Sequence, residues 1–157
     1  MTRLWLASAL AFAAPVAAAA TCSVTASTLA FGIYDPLAAA PDDSTSTITV
    51  SCTKGAASSE TVNYTIALST GSGTYANRTT SSGAQTLNYN IYTTTARTTV
   101  WGDGTSSTAT VAASFSLTTA TPTRNRAHTA YGRMAAAQNA AAGAYSTTTP
   151  ITVTVTY

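Results

Sequence analysis

Side chains that carry chemistry are scarce in this chain. Five Asp and Glu stand against seven Lys and Arg, and only 8% of the 157 residues are charged, against about 25% in an ordinary soluble protein. The basic residues are scattered, so no nucleic-acid-binding patch is expected. There is one histidine, His128, and there are two cysteines, too few for a metal-ligand set by spacing. A catalytic thiol needs a base partner, and none is evident beside either cysteine. No phosphate- or nucleotide-binding motif is recognised. Asp42 and Asp43 are adjacent within "PLAAAPDDS", where a solvated turn explains them better than an acid–base pair. Neither an enzyme nor a cofactor has support in the residues.

Thr, Ser and Ala fill the space that charge leaves. That balance suits a β-protein with a hydroxyl-rich solvent face. The opening "MTRLWLASALAFAAPVAAAA" (1–20) reads as a secretory signal, with Arg3 as the basic start, an apolar middle and small residues for cleavage within 17–21. The mature domain is then 21–157. The apolar run of the signal segment is too short and Ala-rich for a membrane span. Export to an oxidising compartment favours a Cys22–Cys52 disulfide.

Strand-like runs recur along the mature chain. "CSVTASTLAFG" (22–32) places Cys22, Val24 and Ala26 on one face, then changes phase to Leu29, Phe31 and Ile33, the mark of a bulge or kink. "TITVSC", "TVNYTIALS", "TLNYNIY" and "TATVAASFSL" each alternate apolar and polar residues. "AHTAYGRMA" (127–135) is a shorter candidate. The closing "PITVTVTY" puts Ile151, Val153, Val155 and Tyr157 on one face, and Phe115 and Leu117 are candidates for the apolar residues opposite. Between the runs, 36–44 and 54–60 read as a loop and a turn, and 70–85 as a long polar connection. "AAAQNAAAGA" (135–144) favours helix by composition. It has no stripe of large apolar residues to bury, so a loop or single helical turn is expected. Six or seven short strands predict an all-β sandwich.

Three local motifs stand out. "WGDG" (101–104) reads as a packed Trp before a Gly-rich turn. "GTYANR" and "YGR" offer Tyr and Arg of the kind that bind sugars, but packing and turn formation explain them better. His128 sits in a strand-like run with no nucleophile beside it.

Taken in order, "CSVTASTLAFGIYDP", "STITVSC", "LNYNIY", "WGDG", "YGRMAAAQ" and "GAY…TVTVTY" resemble the spore coat protein U family, subunits of archaic chaperone–usher pili. The resemblance implies an incomplete immunoglobulin-like β-sandwich lacking its last strand. It implies an acceptor groove beside the C-terminal strand, to which Ile151, Val153, Val155 and Tyr157 would contribute, with Phe115 and Leu117 as groove or core residues. It implies three partners: a periplasmic chaperone, an outer-membrane usher, and an adjacent subunit that donates an N-terminal strand. The protein would pass through the periplasm to the cell surface. The alternating stretch that a donor needs is missing between the cleavage region and Cys22, so the resemblance points to an accepting, terminal subunit such as a tip adhesin. The other reading is a self-contained secreted coat or binding domain.

Overall fold

The computed structural model describes residues 19–56, 58–141 and 144–157. The signal-peptide reading falls on 1–20, of which 1–18 lie outside the described residues.

Among the described residues eight strands form, all paired antiparallel: β1 (Thr21–Ala26), β2 (Asp42–Thr53), β3 (Glu60–Leu68), β4 (Arg78–Ser82), β5 (Gln85–Tyr92), β6 (Val111–Leu117), β7 (Thr123–Met134) and β8 (Val153–Thr156). They make two sheets, one of order β1-β2-β7-β5-β4 and one of order β6-β3-β8. No helix forms among the described residues, and the Ala-rich stretch 135–141 is loop. The molecule is an all-β sandwich of two antiparallel sheets.

Alternation in the sequence becomes the two sides of each strand. On β3, Val62, Tyr64, Ile66 and Leu68 are buried while the residues between them are not. Ile48, Val50 and Cys52 of β2, Leu87, Tyr89 and Ile91 of β5, and Phe115 and Leu117 of β6 meet them in one core. Trp101 is fully buried, and its Nε1 donates to the Ile66 carbonyl at 3.0 Å. The aromatic of "WGDG" is therefore a packed core residue. The outer face of β1, β2 and β7 is hydroxyl-rich, with rows such as Thr21–Thr53–Thr123 and Ser23–Ser51–Asn125 side by side.

Cys22 and Cys52 are direct cross-strand neighbours and are disulfide-bonded, with α-carbons 4.1 Å apart.

Four expectations change. Strand β2 starts at Asp42, inside the segment expected as loop, because β2 pairs with β7 over twelve positions and Asp43 meets Arg133 across the strands. Residues 70–85 are not wholly a connection. They contain β4, a five-residue strand joined to β5 by a tight turn at Gly83, whose φ is +58°. β4 lacks apolar contrast because its buried residue is an arginine. The last strand is four residues long, since 150–152 approach the β3 end through separate bonds such as Thr152 N to Ser69 Oγ. Ile33 does not share a face with Leu29 and Phe31. It is 98% exposed, because Gly32 takes φ +79° and turns the chain outward.

Arg78 is fully buried. Its Nη1 donates to Asn90 Oδ1 at 2.6 Å, and its Nη2 donates to the carbonyls of Ser69 and Trp101 at 3.0 and 2.8 Å. Burial lowers its pKa, opposed by the neighbouring tyrosines Tyr89, Tyr75 and Tyr92. Its Nε has no partner among the described residues. One cation thus ties β4, β5, the end of β3 and the Trp101 turn together.

Candidate functional site

After β1 the chain leaves the sheet. Residues 27–34 run irregularly and line a cleft with Ser46 and Ile48 of β2, Tyr89 and Ile91 of β5 and Ala130 of β7. Leu29 and Phe31 reach down onto β7 at Gly132, and Phe31 meets the Tyr89 ring edge-on at 5.7 Å. Tyr34 fixes the far end: its hydroxyl donates to the Ala135 carbonyl and accepts from Gln138 N, each at 2.8 Å.

Facing this segment, residues 145–153 descend along the other side. Ser146 bridges Ser81 of β4, and Thr149 N donates to Ser72 Oγ at 2.9 Å. The chain then enters β8, where Val153 faces Leu68 and Val155 faces Ile66 in the register with β3. β3 is the only strand that pairs with β8, so its second edge carries no strand among the described residues.

An apolar cleft lies between these two segments. One lobe, of about 450 Å³, is lined by Leu29, Ile48, Leu68, Ile91, Ile151 and Val153 among others. A second lobe, of about 750 Å³, is lined by Phe31, Tyr34, Leu87, Met134 and Tyr145. Thr28, Leu29, Phe31, Thr80 and Thr147 belong to both, so the two lobes form one trough. No charged side chain lines either lobe.

The residues singled out by sequence are distributed as follows. Ile151 and Val153 line the trough, and Ile151, Val153 and Val155 are half-buried against the core. Tyr157 is 56% exposed and borders a separate open hollow with Tyr64 and Arg126. Phe115 and Leu117 are buried core residues on β6, separated from β8 by β3, and so do not lie opposite it. Leu29, Phe31, Tyr34 and Tyr145 were not singled out for the trough. The change of phase after Ala26 was the signal that could have found the first two.

Among the described residues titratable groups are few and lie apart, in pairs such as His128 with Tyr64 and Asp43 with Arg133. The His128 Nε2 lies 2.9 Å from the Tyr64 hydroxyl, across the two sheets. Burial, helped by the nearby Arg126 cation, holds the His128 pKa below its ordinary value. Asp43 accepts two bonds from Arg133, at 2.7 and 2.8 Å, which lower its pKa. Burial and the adjacent Asp43 raise that of Asp42. Among the described residues, no three His, Cys, Asp or Glu side chains come close enough to share a metal ion. No helix among them is long and apolar enough to cross a membrane. The arrangement is suited to holding an apolar chain segment.

No curated protein matches the chain. The model of the Spore Coat Protein U domain matches residues 8–155, nearly the whole sequence, and the chain belongs to that family.

Proposed function

We propose that this protein is a non-catalytic structural subunit of a surface pilus, assembled by a chaperone and usher through donor-strand complementation. In this reading the sandwich is of the incomplete immunoglobulin type, and a strand from an adjacent subunit fills the trough beside β8. The observation that carries the proposal is the trough itself: apolar, uncharged, and bordered by the unpaired edge of β8 on one side and the irregular residues 27–34 on the other. A strand laid there gains main-chain hydrogen bonds from the open edge and buries alternate side chains in the two lobes. Left empty, such an edge and its apolar lining drive association. Family membership supports the same reading. Before assembly the chaperone would supply the missing strand, and in the fibre the neighbouring subunit would.

The test is to append an alternating apolar strand after Tyr157 through a Gly/Ser linker, which raises the local concentration of the missing strand. The expected result is a soluble monomer with a clearly higher unfolding temperature than the unmodified mature chain. The same strand carrying Asp at its inward positions should not rescue. A mature chain that is already a stable monomer and gains nothing from the added strand would instead indicate a self-contained secreted domain.

A further inference from the structure

At the end of the sandwich, two loops that the trough does not use enclose a hollow of about 510 Å³. One loop joins β3 to β4 and contributes Thr70, Thr74 and Tyr75. The other follows Trp101 and contributes Ser106, Ser107 and Thr108. Tyr75 belongs to "GTYANR" and the second loop grows from "WGDG", so the hollow unites two of the motifs that stood out in the sequence.

Both loops are held rigidly. Asn90 Nδ2 donates to the carbonyls of Tyr75 and Ala76 at 2.8 and 3.2 Å, and Thr74 N donates to the Asn77 carbonyl at 2.9 Å. The Tyr75 hydroxyl donates to the Leu68 carbonyl at 3.1 Å, and the Arg78 guanidinium carbon lies 5.4 Å from its ring centre. The ring orientation is thereby fixed. In the other loop, Asp103 Oδ1 accepts from both the N and the Oγ1 of Thr105, and Thr108 N closes a turn onto the Thr105 carbonyl at 2.9 Å.

The two central residues of that turn are Ser106 and Ser107, with φ +50° and +60°. A turn with φ > 0 at both central positions ordinarily recruits Asn and Gly. Two consecutive serines there hold a conformation that L-residues disfavour, and strain of this kind concentrates at functional sites. Both serines are exposed, so their hydroxyls stand open to solvent at the rim of the hollow. The fold thus keeps two strained, exposed serines at the rim of a hollow that also presents a fixed aromatic ring.

We propose that this hollow binds a neutral saccharide. The hydroxyls of Ser106 and Ser107 can each donate and accept, and Thr70 Oγ1, which donates to the Gly71 carbonyl, can still accept, which matches the bonding of sugar hydroxyls. The Tyr75 ring offers an apolar surface to the C–H face of a pyranose. No charged side chain lines the hollow, so phosphorylated and acidic ligands find no counter-charge. The site lies on loops carried by a rigid scaffold, where binding residues concentrate. It does not depend on strand donation.

The test is saturation-transfer NMR on the disulfide-bonded mature chain and, in parallel, on the strand-complemented monomer. The probes are the methyl glycosides of glucose, galactose, mannose and N-acetylglucosamine, with methyl glucuronide as the charged control. At least one neutral glycoside should bind. The double variant Ser106→Gly, Ser107→Gly should weaken that binding at least about tenfold while keeping or raising the thermal midpoint, because Gly adopts φ > 0 without strain. Tyr75→Ala should also abolish it. The proposal is overturned if no neutral glycoside binds, if only the glucuronide responds, or if the double-glycine protein binds as the parent does.

Discussion

Gly132 lies directly beneath Leu29: a β-carbon built on Gly132 would stand 2.9 Å from both δ-carbons of Leu29, and also from Cζ of Phe31. The absence of a side chain on β7 is what lets residues 27–34 close down on the sheet. Gly132→Ala should therefore make the tips of Leu29 and Phe31 shift, which these side chains can do at the low end of the overpacking range, about 1 kcal/mol. Urea denaturation of the strand-complemented monomer measures it. An unchanged midpoint would mean that the 27–34 segment does not rest on β7.

Arg78 should be among the most sensitive positions in the domain. Arg78→Ala leaves the Ser69 and Trp101 carbonyls without that donor, while Asn90 Oδ1 keeps only its bond from Ile91 N. Buried unsatisfied groups cost about 1–3 kcal/mol each, so a loss of at least about 2 kcal/mol is expected. Arg78→Lys should recover little of it, because an ammonium cannot span three acceptors with a planar fork. Chemical denaturation of the two variants side by side checks both statements.

The disulfide joins residues 30 apart in sequence. Closing a loop of that length removes about 3.5 kcal/mol of unfolded-chain entropy on the chain-entropy model. Replacing Cys22 and Cys52 together with Ala should lower stability by roughly that amount. Mass spectrometry of the non-reduced mature protein should find no alkylatable thiol. Two free thiols would contradict the bond.

His128 gives the stability a pH dependence of known sign. Its folded pKa lies below the ordinary 6.5, through burial and then Arg126. The unfolded chain therefore binds more protons between the folded value and 6.5. The contribution of neutral His128 is fully present above that ordinary value and is lost as pH falls from it towards the folded pKa. Urea midpoints taken from about pH 7.5 to about pH 5 should fall with acid, and His128→Phe should flatten that part of the curve. A midpoint that rises as the solution is acidified would reverse the assigned sign.

Most of the strand order was readable because alternation is a strong signal where apolar residues line one face. β3 shows this best: Val62, Tyr64, Ile66 and Leu68 announce both the strand and its buried side. β4 was hidden for the opposite reason. "RTTSS" has no apolar member, and its one fully buried residue is an arginine, which ordinarily marks a surface. The trough was half legible. Ile151 and Val153 could be read from the closing alternation, but Leu29 and Phe31 act from an irregular segment whose course is set by Gly132, far away in sequence. The sugar-sized hollow was the least legible, since it needs two distant loops to meet, and neither Ser106 nor Ser107 signals a positive φ by composition.

The Cys22–Cys52 bond also decides how the domain carries a mechanical load. The two half-cystines face each other near the start of β1 and the end of β2, and β2 runs back from that point in its unbroken twelve-position pairing with β7. A pull on the chain ahead of Cys22 therefore does not peel β1 away one hydrogen bond at a time. The tension crosses the sulfur bridge into β2 and is shared, in shear, by the longest ladder in the molecule. Reduction would turn that shear into unzipping, and the force needed to open the domain from its N-terminal side would drop.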